Sequence, residues 1–334
     1  MRLLFVFSHA GGGQRQREHR GIVLAAVILL MSTPVPYATL QAEAAFPGRN
    51  GRIAFAVPAV DHSATRDLLG GGVNRDLYVV DWSTGVLTQL TEGPEEDWCP
   101  AWSPRGDRIA FGRRIGLGAG DLFVLDVKTG RITNVSTTPD SNEFYPAWSP
   151  DGRRIVFASD RGNPAAYPFI DMDLYVVDME GEVTQLVDMD GVQAMPAWSP
   201  QGDVIAFQDR ATNSIRLVPA TGGHAVMIAQ SEDEPGGPSW SPDGRQLAFA
   251  TTTGDLWVVN RGGSGLYRLS GLPSVHSNPS WSPDGKWIAF VGASRDEERQ
   301  KLYRVRPDGS RIEPIIAINL GPDPFATVDW GPRP

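Results

Sequence analysis

The sequence predicts an all-β fold, a six-bladed β-propeller of four-stranded antiparallel blades whose ring is closed by the C-terminal strand joining blade 1. The first observation behind this prediction is a repeated segment in which Pro-(Ala/Ser)-Trp-Ser-Pro leads into a short run ending in Phe. Its copies lie at 100–111, 146–157, 196–207, 238–249 and 279–290. Repeats of roughly 40–50 residues made of short strands are typical of propellers.

Each repeat divides into four strand-like runs separated by turn residues. In the copy that begins at residue 146, PAW is followed by a Ser-Pro-Asp-Gly turn, and then by IVFAS (155–159), DLYVVD (173–178) and VTQLV (183–187). Proline presets φ at the first turn position and glycine accepts a positive φ, while the β-branched and aromatic runs favour strands. We number these strands one to four outward from the centre of the ring.

A count of each strand type gives the number of blades. Second-strand copies begin at 53, 109, 155, 205, 247 and 288, and third-strand copies begin at 76, 121, 173, 214, 255 and 301. First strands carry Trp102, Trp148, Trp198, Trp240, Trp281 and Trp330. The sixth first strand therefore comes last in the chain. We expect VDWGP (328–332) to become the inner strand of blade 1, which leaves no open edge.

The chain is predicted to contain one domain, at 45–334, after an N-terminal segment at 1–44. In that segment, arginines precede the apolar run 21–31, and Ala42-Glu43-Ala44 follows. This order is typical of a secretory signal peptide, and an uncleaved N-terminal anchor is the alternative. We expect the protein to be exported to the periplasm or the extracellular space, with membrane contact only through this segment if it is uncleaved.

Charge and cysteine content limit the function classes. The net charge of −9 disfavours nucleic-acid binding. Cys99 is the only cysteine in the sequence, so no intramolecular disulfide is expected. We interpret it as a small apolar residue at the start of a buried inner strand.

The repeated WSPDG, IAF, DLYVVD and LT elements resemble the WD-like repeat of TolB-type six-bladed propellers, over essentially all of 46–334. They are also similar to the propellers of prolyl oligopeptidase-type peptidases and of oligogalacturonate lyases. The TolB resemblance implies a protein or peptide partner in the cell envelope. The peptidase resemblance implies chemistry in a separate hydrolase domain, and the sequence has no G-x-S-x-G motif.

Loop lengths indicate which face of the propeller binds. Turns between strands one and two, and between strands three and four, are uniformly tight, whereas the loops on the opposite face are long and irregular. Variable loops on a rigid scaffold usually carry binding function. We expect a largely acidic ring where the loops reach the channel mouth, formed by Asp97, Glu143, Gln193, Glu234, His276 and Asp323. Such a ring would attract cations or a basic peptide, or would satisfy turn backbone and solvate the rim.

A metal site is the second interpretation of the mouth. Carboxylate, amide and imidazole groups coordinate metals, and hard oxygen ligands favour calcium or manganese. The lyase resemblance implies convergent histidines, for which His62, Gln193 and His276 form the candidate cluster. Our prediction is an exported, non-catalytic binding scaffold without a cofactor. The alternative is a metal-assisted polysaccharide lyase or hydrolase that uses a divalent cation.

Overall fold

A computed structural model describes residues 46–58, 75–115, 119–138, 140–162, 171–269, 271–275, 277–293, 301–316 and 326–333. Almost every regular element in these ranges is a β-strand. The exception is one turn of 3-10 helix at Arg210–Thr212. Across the described ranges, we find no helix long and apolar enough to cross a membrane.

The described strands, numbered β1 to β27 in chain order, form six sheets arranged as blades and one small two-stranded sheet. Blade 1 contains β27 (Asp329–Pro332), β1 (Asn50–Pro58), β2 (Arg75–Asp81) and β3 (Leu87–Gln89). Blade 2 contains β4 (Glu96–Trp102), β5 (Arg108–Arg114), β6 (Gly120–Asp126) and β7 (Ile132–Asn134). Blade 3 contains β8 (Glu143–Trp148), β9 (Arg154–Ser159), β10 (Asp173–Asp178) and β11 (Val183–Gln185).

The other three blades follow the same order. Blade 4 contains β12 (Gln193–Trp198), β13 (Val204–Asp209), β14 (Ser214–Pro219) and β15 (Val226–Gln230). Blade 5 contains β16 (Ser239–Trp240), β17 (Gln246–Ala250), β18 (Leu256–Asn260) and β19 (Tyr267–Leu269). Blade 6 contains β20 (Ser274–Val275), β22 (Ser280–Trp281), β23 (Ile288–Ala293), β24 (Lys301–Val305) and β25 (Ile312–Ile316).

The ring closes as the sequence predicts. Strand β27 pairs antiparallel with β1, with Trp330 opposite Ile53 and Asp329 opposite Ala54. A second link joins blades 6 and 1, where β21 (Ser277–Asn278) pairs in parallel with β26 (Ala326–Thr327). The predicted fold class, including closure by the C-terminal strand, is confirmed.

The core repeats once per blade because the sequence repeats once per blade. The phenylalanine of each second strand is fully buried, and so are most of the inner-strand tryptophans. The phenylalanines are Phe55, Phe111, Phe157, Phe207, Phe249 and Phe290. Apolar clusters such as the one that joins Ala110 and Leu122 of blade 2 to Trp148 of blade 3 pack each blade against its neighbour.

Tight turns collect on one face, which we call the turn face. In the Ser-Pro-Asp-Gly turns, the serine carbonyl accepts a hydrogen bond from the glycine N–H, as between Ser149 and Gly152 at 2.8 Å. Gly152 has a φ of 68°, which a side-chain-free residue adopts at no steric cost. The opposite face, which we call the mouth face, carries the loops that enter the inner strands.

Candidate functional site

The inner strands of blades 2, 3 and 4 share a bulge just inside the mouth. Cys99, Tyr145 and Met195 have φ values of 54°, 55° and 51°, and each precedes a proline. The pairing register with the second strand shifts at this point in each blade. Extra residues of this kind re-aim the side chains around them. The bulge therefore sets the positions of Asp97, Glu143 and Gln193, the predicted mouth residues that lie two positions before the bulged residues.

Asp97 begins this series in blade 2 and lies opposite Arg113 in the β4–β5 register. Its side chain is 1% exposed. Arg113 donates two hydrogen bonds to it, from Nε to Oδ1 at 2.6 Å and from Nη2 to Oδ2 at 2.7 Å. Burial raises the pKa of the Asp97 carboxyl, while the hydrogen bonds from Arg113 lower it. Asp97 is therefore a buried, charge-compensated group.

Glu143 occupies the equivalent position in blade 3 and is fully buried. Its Oε1 accepts hydrogen bonds from the Thr138 and Ser141 hydroxyls at 2.8 and 2.9 Å, and from Arg161 Nη2 at 3.0 Å. The Ser136 and Ser159 hydroxyls also donate to this carboxylate. Burial raises the Glu143 pKa, and these donors oppose the shift. This carboxylate ties the entry loop to the blade.

Gln193 is the blade 4 member and is also fully buried. Its Nε2 donates to the Asp190 carbonyl at 3.1 Å, whereas Oε1 accepts no hydrogen bond from the described residues. The residue opposite Gln193 on β13 is Asp209, which accepts a 2.7 Å hydrogen bond from Arg216 Nε. Blade 4 thus keeps a carboxylate–arginine pair but moves it to the second and third strands.

Glu234 is the most exposed of the four described candidates, with 33% of its side chain accessible. Arg210 Nε lies 2.6 Å from its Oε1, and Gln208 Nε2 donates to the same oxygen at 3.1 Å. Glu96, beside Asp97, pairs with both Arg75 and Arg114. We call these paired groups the collar, comprising Glu96, Asp97, Glu143, Asp209 and Glu234 with Arg75, Arg113, Arg114, Arg161, Arg210 and Arg216.

The arginines are the part of the collar that the sequence analysis did not find. Arg113 and Arg161 lie at or just beyond the ends of second strands, so they come 16 and 18 residues after their carboxylates. Each guanidinium also lies over aromatic rings, with Arg161 4.9 Å from the Tyr175 centroid and Arg113 5.3 Å from that of Phe111. Writing out the antiparallel register of β4 and β5 would have placed Arg113 opposite Asp97.

A second set of carboxylates lies further out on the same face, and we call it the rim. Its members are Glu92, Asp140, Asp188, Asp190 and Glu232. All five are exposed and follow fourth strands, in the loops that lead into the inner strands. Among the ion pairs of the described residues, none involves a rim carboxylate. Uncompensated negative charge therefore belongs to the rim, while the collar is balanced by arginine.

Near the axis of the ring, Asn278 connects three blades. Its Oδ1 accepts a hydrogen bond from the Gly237 N–H at 2.8 Å, and its Nδ2 contacts Met195 Sδ at 3.2 Å. Asn278 is 7% exposed. The Met195 side chain of blade 4, the Gly237 backbone ahead of the inner strand of blade 5 and the Asn278 side chain of blade 6 thus meet at the mouth.

Three predicted residues, His62, His276 and Asp323, lie outside the described residues. Of the candidate metal ligands, only Gln193 is therefore placed. In the parts of the chain that the structure describes, no three His, Cys, Asp or Glu side chains are arranged to hold a metal ion. The Gln193 Oε1 is the described oxygen that would suit a cation, because it is buried and accepts no hydrogen bond from these residues.

The sheet order and the ring closure define the chain as a six-bladed β-propeller. The family model of the TolB beta propeller domain matches residues 71–234 and 170–321. The chain belongs to this family. A search of the curated proteins finds no match to the sequence.

Solved structures share the fold at low sequence identity. TolB from Acinetobacter baumannii superposes with a TM-score of 0.66 and 18% identity, covering 86% of this chain and 68% of that one. An oligogalacturonate lyase in complex with manganese gives 0.59 and 17%, covering 84% and 78%. A putative TolB from Agrobacterium tumefaciens gives 0.57 and 19%, covering 75% and 94%. At these identities the likeness shows the fold alone.

Proposed function

We propose that the chain is an exported, non-catalytic propeller that binds a protein or peptide partner of the cell envelope at its mouth face. The observation that carries this proposal is the division of the mouth into a collar of paired carboxylates and a rim whose carboxylates form no ion pair with the described residues. Export rests on the N-terminal segment 1–44, which we assign as a signal peptide or anchor ahead of the 45–334 domain.

The collar supports a scaffold role because its groups are held in place. Glu143 receives hydrogen bonds from four hydroxyls and an arginine, and Asp97 receives a bidentate pair. Charge-assisted bidentate bonds of this kind fix geometry as well as contributing energy. The mouth therefore presents a preorganised surface, which reduces the entropy lost when a partner binds.

The rim supports a basic partner. Glu92, Asp140, Asp188, Asp190 and Glu232 place negative charge in exposed loops without arginine compensation among the described residues. Like-signed charge on one face speeds the approach of an oppositely charged partner and makes its association sensitive to salt. A partner segment rich in Lys or Arg has the complementary chemistry.

A pair of cross-linking variants tests whether the mouth face is the binding face. A photo-reactive phenylalanine derivative would replace Ile115 on the mouth face or Val86 on the turn face, which are 63% and 61% exposed. With the full chain expressed in cells, adducts are expected from the Ile115 position only. Adducts of equal yield from both positions would contradict the proposal.

A matched pair of charge variants tests the role of the rim. Asp188→Asn with Asp190→Asn removes two carboxylates from the mouth end of β11, and Glu180→Gln with Glu182→Gln removes two exposed carboxylates from its turn-face end. Both double variants change the net charge equally. We expect only the rim variant to reduce the Ile115 adduct. An equal reduction in both would mean that net charge, rather than the rim, attracts the partner.

The buried Gln193 Oε1 favours one second candidate, a divalent-cation site serving a polysaccharide lyase or hydrolase. His62 and His276 would complete its ligands. A thermal melt in chelator, followed by calcium, manganese, magnesium or zinc added singly, tests this candidate, since binding to the folded state raises stability by mass action. A rise with one metal that is lost in Gln193→Ala would favour this candidate over the scaffold.

A further inference from the structure

The closing strand makes a polar contact across the seam between blades 1 and 2. Asp329 lies on β27 and is 2% exposed. Its Oδ2 accepts a hydrogen bond from the backbone N–H of Trp102 at 2.5 Å. The C-terminal strand is thus joined directly to the inner strand of blade 2, 227 residues earlier in the chain.

In two other blades the residue before the inner-strand tryptophan makes the same kind of contact, and there it is a serine. Its hydroxyl accepts a hydrogen bond from the backbone N–H of the tryptophan in the next blade. Ser239 Oγ accepts a hydrogen bond from the Trp281 N–H at 3.1 Å, and Ser280 Oγ accepts one from the Trp330 N–H at 3.0 Å. The matching positions in blades 2, 3 and 4 are Ala101, Ala147 and Ala197. An ionisable side chain therefore occupies the position in the one blade whose inner strand comes from the far end of the sequence.

Among the residues that the structure describes, no charged side chain pairs with this carboxyl. The strands packed against β27 are β1, β4 and β22. The charged residues of β1 and β4 are Arg52, Glu96 and Asp97, while β22 has none. Arg52 lies over the Trp102 ring, and Glu96 and Asp97 pair with arginines of the collar. Directly across from Asp329 on β1 is Ala54, which is 1% exposed.

Burial of the Asp329 carboxyl raises its pKa to about 7, although the Trp102 N–H and the Ser280 hydroxyl both lower it. Burial dominates because removing a carboxylate from water without a cation disfavours the charged form. The geometry of the seam leads to the same conclusion, since the space is lined by backbone, a hydroxyl and an alanine.

We propose that Asp329 is a proton-operated latch, which keeps the closing strand docked while its carboxyl is protonated and lets the strand open more readily once the proton is lost. Detachment of β27 exposes the carboxyl to water and returns it to an ordinary acidity. The closed state therefore binds more protons than the open state, and opening becomes more frequent as pH rises. The dependence begins near the unfolded-state pKa of about 4 and ends above pH 7.

Hydrogen exchange measured by mass spectrometry on the full chain tests the latch. At pH 5, 6, 7 and 8, the protection factors of residues 326–333, corrected for intrinsic exchange, are expected to fall roughly tenfold per pH unit up to pH 7 and then level off. In Asp329→Asn the same segment is expected to show no such dependence. Asp329→Ser, which copies the residue of blades 5 and 6, is a second non-ionising variant should the asparagine variant fold poorly.

Three results would overturn the proposal. The wild type and both variants could share one pH dependence. The strands of every blade could lose protection in parallel with β27, which would indicate global unfolding instead of a latch. A carboxyl ¹³C titration by NMR could also show Asp329 ionising below pH 5, which would remove the proton linkage itself.

Discussion

The guanidinium of Arg113 donates two parallel hydrogen bonds to the Asp97 carboxylate, at 2.6 and 2.7 Å, although the two residues lie on different strands. The pair is almost entirely buried, since the Asp97 side chain is 1% exposed and that of Arg113 12%. Each partner is therefore required to compensate the charge of the other. This relationship recurs around the mouth with other residues, and it fixes the geometry from which the rim loops project.

Replacement of Arg113 by methionine should be strongly destabilising, because it leaves Asp97 buried without a cation. Breaking one side of a buried pair typically costs about 3–5 kcal/mol of unfolding free energy. The double variant Arg113→Met with Asp97→Asn should recover part of that loss, since no unpaired charge remains. Urea denaturation of the wild type and both variants measures these differences.

Arg245→Met is the matched control for the Arg113 experiment. Arg245 lies 3.9 Å from Asp243, and the two side chains are 84% and 60% exposed. Exposed pairs contribute about 0–1 kcal/mol, so the control should lie within that range. Equal losses from Arg113→Met and Arg245→Met would show that the collar pair is not structural.

Deletion of residues 327–334 should open the ring. It removes β27 and with it the fully buried Val328 and Trp330, each contributing about 1.5–3 kcal/mol of burial free energy. It also leaves the β1 edge unpaired. We expect a large fall in the melting temperature.

A shorter deletion of residues 333–334, which keeps β27 and loses the hydrogen bond from Arg333 N–H to the Arg49 carbonyl, should have a much smaller effect. An unchanged melting temperature after the longer deletion would contradict closure by this strand.

Two inner-strand tryptophans offer a test of what their indole N–H groups contribute. Trp148 Nε1 donates to the Ala101 carbonyl at 3.1 Å, whereas Trp198 Nε1 donates to no described residue. Both rings are buried, and each lies under an arginine, Arg108 or Arg154. Trp148→Phe should therefore cost about 1 kcal/mol more than Trp198→Phe, the net value of one hydrogen bond. Equal unfolding free energies for the two variants would mean that the Trp148 bond contributes nothing.

The fold was predictable from the sequence because its determinants are local and repeated. A Trp-Ser-Pro-X-Gly turn occurs in five blades, and a run like Ile-Ala-Phe occurs in all six. The position of Trp330 at the end of the chain is sufficient to predict closure by β27. One irregularity was not predictable. The inner strand of blade 6 is split into β20 and β22, and β21 between them pairs with β26, the strand that leads into the closing strand.

The mouth was predictable only in part, because its charges are paired by tertiary contacts. The positions of Asp97, Glu143, Gln193 and Glu234 predict an acidic ring, and the structure describes these four residues as largely buried or paired with arginine. The compensating arginines come from second strands, third strands and the loops between them, at separations that vary between blades. Burial of a carboxylate depends on those partners, and their place differs from pair to pair, because Arg113 lies in the same blade as Asp97 whereas Arg75 reaches Glu96 from the neighbouring blade. His62, His276 and Asp323 remain predictions.

Asp76 provides a pH test of the group beneath the collar. Burial, followed by the nearby Asp97 carboxylate, raises the Asp76 pKa to about 6. The folded state therefore holds a proton that the unfolded chain has already lost, so the stabilisation is greatest below about pH 4 and disappears as pH rises toward 6. Relative to Asp76→Asn, which can still accept the hydrogen bond from Gln89, the wild type should lose roughly 2 kcal/mol of unfolding free energy over that interval.

Asp126 is the control of opposite sign, because hydrogen bonds from the Thr129 N–H and hydroxyl lower its pKa, so its contribution is lost as pH falls. Urea unfolding from pH 3.5 to 7 compares each variant with the wild type, and an Asp76→Asn difference that is constant with pH, or that follows the direction of Asp126→Asn, would show that Asp76 ionises normally in the folded protein.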